Sequence, residues 1–170
     1  KMKVYDCFQF FDENMILDLR LNMLNDFVSK FIIVESKYLH SGAIKKPIFD
    51  INNFSKFKDK IIYIKVDDLP DGDNPYLREN FQRNAIKRGI HSAEDNDLII
   101  ISDLDEIPNP NLIRKFNSKN RFAVCKQMHF YYKFNLKLQS FDWYGSKACI
   151  KANLISPQWL RNLKFKKYPF

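Results

Sequence analysis

Leu98-Ile99-Ile100-Ile101-Ser102-Asp103-Leu104-Asp105-Glu106-Ile107-Pro108 is the stretch on which the reading of the fold turns. Its first four residues are apolar, three of them Ile, with no polar alternation. That is the pattern of a short strand buried on both faces, as in a parallel sheet. The run then breaks into Asp103, Asp105 and Glu106. Ligands of open α/β sheets bind outside the carboxyl ends of the strands, so three carboxylates stand where such a fold does its chemistry. Asp103 and Asp105 are two apart, and a turn brings both within reach of one ion. Hard oxygen ligands suit Mg²⁺ or Mn²⁺, and a divalent ion there would hold a diphosphate. A solvated acidic turn before Pro108 has the same composition; the buried run in front of it is what favours a metal site.

The chain has 170 residues, 45% of them hydrophobic and 28% charged. That suits one domain over residues 1–170, with an α/β core able to bury roughly 70% of its unfolded surface. Sixteen Phe and eight Tyr make it aromatic-rich, which by default means core. The net charge of +8 favours anionic partners such as nucleic acid, acidic lipid or a phosphorylated small molecule. No block of five Lys or Arg occurs, and the densest cluster is Lys164, Lys166 and Lys167. The charge is therefore diffuse and names no partner. Cys7, Cys125 and Cys149 lie in apolar segments without metal-ligand spacing, so three buried free thiols are expected rather than a zinc site; one disulfide remains open. No apolar run approaches a membrane span and no signal peptide is visible. Lys1 precedes Met2, so a trimmed chain is one expectation and a missing targeting segment carries little weight.

Around the central run the chain alternates strand and helix. Residues 3–11 read as a strand. Asp12-Glu13-Asn14 supplies a helix start, and Leu17, Leu21, Leu24 and Val28 follow at helical spacing, with Ile16, Leu19, Met23 and Phe27 beside them. Phe31-Ile32-Ile33-Val34 is a second apolar strand ending in Glu35-Ser36. This β-α-β order implies a parallel pair. Residues 37–47 form a polar loop carrying His40, more naturally a surface residue than a ligand. Residues 52–58 suggest a short helix and 61–66 a third strand. The Asp-rich loop 67–75 lacks EF-hand spacing and reads as turns. Tyr76 to about Ala93 reads as a second helix with Leu77, Phe81, Ala85 and Ile86 as its stripe. Arg83 and Asn84 lie off that stripe. Spacing alone makes them a solvent face, with Glu79 and Arg83 paired four apart; the sharper alternative is a guanidinium aimed at a phosphate. Asn109-Pro110 opens another helix. Residues 121–134 read as one long strand containing His129, a structural residue by default. Strands over 136–141 and 147–155 flank a turn at Asp142-Trp143-Tyr144-Gly145-Ser146, whose aromatics suit either sugar binding or a packed hairpin. A last short helix begins at Pro157.

Several blocks together resemble one family. They are Val4-Tyr5-Asp6-Cys7-Phe8 with Phe10-Phe11, then Phe31-Ile32-Ile33-Val34-Glu35-Ser36, His40-Ser41-Gly42, Phe81-Gln82-Arg83-Asn84-Ala85-Ile86, and Ile100 to Pro108. In this order they are similar to glycosyltransferase family 17, which includes the transferases that add the bisecting N-acetylglucosamine to N-glycans. The resemblance implies an α/β protein of the A-type glycosyltransferase fold, with a Rossmann-like, mostly parallel sheet flanked by helices. It implies a UDP-sugar donor, a glycan acceptor, an inverting mechanism and Mn²⁺ or Mg²⁺ as cofactor. Asp105 then corresponds to the direct metal ligand. Asp103 reaches the ion through water or holds the donor ribose, and the ion neutralises the leaving diphosphate. Arg83 and Asn84, from the matching helical block, and Glu35 become candidates for the donor pocket. Inversion needs a base for the acceptor hydroxyl, and Asp142 and Glu106 are the candidates; Glu106 alternatively orients the metal site.

The family usually continues past the end of this chain, and many A-type transferases take a metal-ligating His from that later part. No His follows His129, so a trimmed chain or a catalytically silent nucleotide- or glycan-binding domain is the alternative. A two-metal nuclease or nucleotidyltransferase would use the same carboxylates, but no basic stripe supports nucleic acid as partner. The Lys/Ile/Asn-rich composition suggests an AT-rich genome. Cytoplasm is the expected compartment for a bacterial or viral source and the Golgi lumen for a eukaryotic one.

Overall fold

The computed structural model describes residues 2–39, 41–70, 74–130 and 136–164. His40, residues 71–73 of the Asp-rich loop, the end of the 121–134 segment, and Lys166 and Lys167 lie outside the described residues. The elements in order are β1 (Val4–Gln9), α1 (Asn14–Leu24), β2 (Lys30–Ser36), a 3₁₀ stretch Ile51–Phe57, β3 (Ile61–Val66), α2 (Pro75–Asn84) and β4 (Leu98–Ile101). There follow α3 (Pro110–Ile113), β5 (Ala123–Val124), β6 (Gln127–Phe130), β7 (Lys137–Trp143), β8 (Lys147–Ile150) and α4 (Pro157–Asn162).

The main sheet runs β3-β2-β1-β4-β8-β5. Its first four strands are parallel, and β8 pairs antiparallel with both β4 and β5. The expected parallel sheet is therefore present, with an antiparallel edge. β6 and β7 form a separate antiparallel pair. The side chains of the parallel strands alternate between two apolar layers, as the two-residue strand period requires. Val4, Phe8, Phe31, Ile33, Leu98 and Ile100 pack with Leu17, Leu21 and Leu24 of α1, the 51–57 stretch and Ile113 of α3. Tyr5, Cys7, Ile32, Val34, Ile99 and Ile101 pack on the other face with Ala85, Ile86 and Leu160. Helices on both faces explain why these strands read as continuous apolar runs.

Several element boundaries differ from the sequence reading. The helix expected over 76–93 ends at Asn84 and passes into a 3₁₀ turn, Ala85–Arg88. There the chain crosses β2 so closely that a Cβ on Gly89 would lie 2.6 Å from Ile32 Cγ2. The start of α1 is not capped by a side chain; Glu13 instead accepts hydrogen bonds from the Phe11 and Asp12 amides. The strand expected over 121–134 breaks after Val124, because β5 belongs to the main sheet and β6 to the hairpin. The strand expected over 147–155 stops at Ile150 and turns into a 3₁₀ segment, Lys151–Asn153. The three cysteines are free: Cys7 and Cys149 are buried and Cys125 is half-buried. Burial pushes the Cys149 thiol up to about 12.

Candidate functional site

The order β3-β2-β1-β4 reverses direction between β1 and β4, the place where open α/β sheets bind ligands. The Asp103–Glu106 turn leaves β4 at this point. It is closed by its own groups: Glu106 N–H donates to the Asp103 carbonyl at 3.2 Å, and the Glu106 carboxylate accepts from Asp103 N–H at 2.9 Å. From beneath, Arg20 of α1 holds the same turn. Its guanidinium donates to both oxygens of Asp6 on β1 at 2.8 and 2.7 Å. It also donates to the carbonyls of Asp103 and Leu104, both at 2.9 Å, and to Ser102 Oγ. All five N–H groups are thereby used. Arg20 and Asp6 are both fully buried, and the guanidinium lies 4.6 Å from the Phe8 ring centroid. A buried charge pair is tolerated only when every donor and acceptor is matched, which is the case here.

Above the turn two further arginines converge on Asp103. Arg83 of α2 reaches one carboxylate oxygen at 3.0 Å and Arg161 of α4 the other at 2.7 Å. Arg161 also binds Glu106 at 2.8 Å and donates to the Gly145 carbonyl. Arg83 additionally meets Glu79 at 3.1 Å and Gln158 at 2.7 Å. The Glu79–Arg83 pair read from helix spacing is present. Arg83 itself is buried, not on a solvent face, because the surface opposite α2 is polar. For the same reason Leu77, read as part of the apolar stripe, is exposed while Gln82 is buried. Lys147 lies buried beside this cluster; burial, then the Arg161 charge, holds its ammonium below the ordinary lysine range.

Asp105 stands apart. Its side chain is exposed, and among the described residues no basic side chain pairs with it. Desolvation by the surrounding walls, followed by the charges of Glu106, Asp103 and Glu13, raises its carboxyl above the usual range. Among the described residues no three His, Cys, Asp or Glu side chains form a ready-made metal cage. Asp105 is a carboxylate without a basic partner among the described residues, in a negative field, which suits one cation completed by further ligands.

Two cavities meet at the turn, and Asp103 and Asp105 line both. The first, about 700 Å³, lies over the ends of β1 and β2 and includes Phe10, Phe11, Tyr38, Lys45, Gln82 and Arg83. Lys45 donates to the Phe11 carbonyl at 3.1 Å and sits 4.7 Å from the Phe11 ring centroid. The second, about 970 Å³, lies on the hairpin side and includes Met23, Leu112, His129 and Trp143.

The structure brings Asp103, Asp105, Glu106 and Arg83 together. Glu35 is fully buried, and its carboxylate accepts from Lys45 at 2.8 Å, the Ile48 and Phe49 amides, and the Tyr63 hydroxyl at 2.9 Å. What it contributes to the first cavity is the placement of Lys45. Asn84 accepts from the Gln158 amide at 3.0 Å and so ties α2 to α4. Asp142 is not brought to the turn. Strand alternation puts it on the opposite face of the hairpin from Trp143, where it pairs with Lys126 at 2.8 Å. Sequence reading missed Arg20, Asp6, Lys45 and Arg161. A charge at position 20 inside the Leu17–Leu21–Leu24 stripe, and another inside the apolar first strand, were the available signals of a buried pair. Arg161 carries no such signal.

The family model for glycosyltransferase family 17 matches residues 1–159. Similar relatives are the β-1,4-mannosyl-glycoprotein 4-β-N-acetylglucosaminyltransferases of Homo sapiens and Rattus norvegicus, each 27% identical over 104 residues. The mouse protein of the same name is 26% identical over the same length. Each match covers 55% of this chain and 19% of the relative. The matched part is thus about a fifth of the length of these curated relatives.

Proposed function

Because the chain belongs to glycosyltransferase family 17, we propose that it transfers N-acetylglucosamine from a UDP-sugar to a glycan acceptor, with inversion at the sugar carbon. The observation that carries this reading is the carboxylate turn at the switch point of the sheet, with a cavity on each side. The mostly parallel sheet with helices on both faces is taken as the A-type glycosyltransferase fold.

The donor is placed in the first cavity. Arg83 and Lys45 supply guanidinium and ammonium groups there, matched to a diphosphate. The residues at the turn fit Mn²⁺ or Mg²⁺: Asp105 is unpaired by any described base, while both Asp103 oxygens are engaged by Arg83 and Arg161. This division supports Asp105 as the direct ligand, with Asp103 acting through water or on the donor ribose. When bound, the ion would supply Lewis-acid neutralisation of the leaving diphosphate. Arg20 fixes the backbone from which both carboxylates project, and Glu106 orients the turn from above. As bond cleavage places negative charge on the diphosphate, Arg83 and Lys45, held at the cavity wall by Glu79 and Asp103 and by Glu35, are the cations that stabilise it. The acceptor hydroxyl gives up its proton on the face opposite the leaving group, and the transition state has oxocarbenium character. Of the two candidate bases, Glu106 borders the second cavity, whereas Asp142 faces away from it.

The relatives' names specify a β-1,4-linked mannose of a glycoprotein as acceptor. A β-mannoside is accordingly the first acceptor to try. The test is UDP release from UDP-N-acetylglucosamine in the presence of Mn²⁺ and a β-mannoside acceptor. Turnover by the wild type, lost in Asp105→Ala with the fold retained, is the expected result. Equal rates in the two proteins overturn the reading.

A further inference from the structure

We infer that Arg161, on the short helix α4, is a positioning residue of the transfer site: its guanidinium ties Glu106 to Asp103 and so sets where the carboxylates of the turn project. This deepens the proposed transferase function and rests on it.

The first argument is what Arg161 touches. Its Nη2 donates to Asp103 at 2.7 Å and to Glu106 at 2.8 Å. Its Nη1 donates to the Gly145 carbonyl, and the guanidinium lies 6.0 Å from the Trp143 ring centroid. One side chain thus spans the turn after β4 and the turn after β7. The second argument is what it does not touch. Asp103 borders both cavities and Glu106 the second, whereas Arg161 lines neither. A cation placed to hold a phosphate stands in a cavity wall, as Lys45 and Arg83 do. Arg161 therefore acts through the two carboxylates.

The third argument is how firmly Arg161 is held. Its side chain is 13% exposed. Leu160 beside it is fully buried in the core layer that holds Ile99 and Ile101. The Trp159 ring meets Phe122 edge-on, with centroids 5.4 Å apart. Lys147, opposite Ile101 on β8, donates its ammonium to the Arg161 carbonyl. Gln158, three residues earlier and so on the same side of the helix, accepts from Arg83 at 2.7 Å. One face of α4 thereby sets both guanidiniums that close on Asp103. The fourth argument is the charge left without it. Glu106 is 7% exposed and ion-paired with Arg161. Loss of Arg161 leaves Glu106 and Asp103 with one cation fewer, next to Asp105. Such a turn attracts a bare cation more strongly but no longer fixes its carboxylates, and a small misplacement at a reacting centre is costly.

The test compares the full chain with Arg161→Gln and Arg161→Lys in three ways. Transfer from UDP-N-acetylglucosamine to the β-mannoside is followed at steady state, Mn²⁺ binding without nucleotide by electron paramagnetic resonance, and the indole N–H resonances by ¹⁵N NMR. The chain has two tryptophans, so a Trp143→Phe spectrum identifies the indole that donates to Glu106 at 2.7 Å. In Arg161→Gln, kcat should fall about ten- to a hundredfold, with the donor KM within about twofold of wild type. Mn²⁺ should bind about fivefold tighter, and the Trp143 resonance should move. Arg161→Lys keeps the charge but not the planar fork, so it should restore the Mn²⁺ affinity and leave kcat reduced. A merely structural residue would not tighten metal binding when replaced. Wild-type kcat in Arg161→Gln overturns the inference. So does a raised donor KM at unchanged kcat, because Arg161 would then bind the donor itself. If Arg161→Gln does not fold, Arg161→Lys decides, and wild-type kcat in that variant overturns the inference. A wild type without transfer overturns the transferase reading instead, while a moved Trp143 resonance with tighter Mn²⁺ binding in Arg161→Gln still supports Arg161 as the residue that positions the turn.

Discussion

The Asp103–Glu106 turn is held from two sides by groups of opposite character. Beneath it, Arg20 and Asp6 are fully buried and every guanidinium N–H is used within the sheet–helix core. On the hairpin side, Trp143 and Arg161 reach the Glu106 carboxylate of the turn, and Asp103 and Asp105 line two cavities. The comparison teaches how the labour is divided. The lower clamp belongs to folding, and its loss should cost stability whether or not a ligand is present. The upper contacts border the cavities, and changes there should register in ligand affinity as well as in stability.

The largest effect that can break this contrast is at Arg20. Arg20→Met strands the Asp6 carboxylate in the core and should cost about 3–5 kcal/mol, read as a lower midpoint in urea unfolding. Adding Asp6→Leu to that variant should recover a large part of the loss, because the penalty is the orphaned charge. A loss below about 1 kcal/mol in Arg20→Met would mean the clamp is not part of the folding core.

Next in size is Gly145→Ala. The added Cβ would lie 2.4 Å from the Glu106 carboxylate, and such overpacking costs about 1–3 kcal/mol. Since Glu106 also accepts from Asp103 N–H, this variant should lose UDP affinity as well as stability in paired melting and calorimetry experiments. Loss of stability alone would uncouple the hairpin side from the turn.

Asp105→Asn should act in the opposite direction. A carboxyl whose folded value lies above its unfolded value opposes folding once ionised, so that penalty grows as pH rises through the raised range. Removing the charge should stabilise the fold at neutral pH, by about 0.5 kcal/mol or less given solvent screening of an exposed group, read as a higher melting midpoint. The gain should vanish below about pH 4, where the carboxyl is protonated in both states. A gain that is independent of pH would show that the negative field at the turn is not its origin. The smallest effect is expected at Phe130→Ser on the exposed face of the hairpin, within about 0.5 kcal/mol of wild type in urea.

The same division governs what could be read from the sequence. Ile99, Ile100 and Ile101 announced a strand buried on both faces, and the carboxylates after them fell at the end of a central strand. Local pattern suffices there, because burial on two faces leaves one residue class possible. Arg83 was misread by spacing, since its partner surface comes from Asp103 and Gln158, 20 and 75 residues away. Arg161 is recognisable only once α4 is packed against the turn. The break between β5 and β6 escaped for a similar reason: which sheet each short strand joins is decided by β8 and β7, not by residues 121–134 themselves. Hence the buried strand and the carboxylate turn after it were legible, whereas the basic residues around the turn, Lys45, Arg83 and Arg161, were not.

The most direct test of the account is thermal melting of the wild type and Asp105→Asn with UDP, each with and without Mn²⁺. A ligand that binds only the native state raises the midpoint by mass action. The account predicts a rise with UDP that grows when Mn²⁺ is added, and a Mn²⁺ increment that disappears in Asp105→Asn. A UDP shift of the same size in all four conditions would contradict Asp105 as the metal ligand, and no shift with UDP in any condition would contradict the donor site itself.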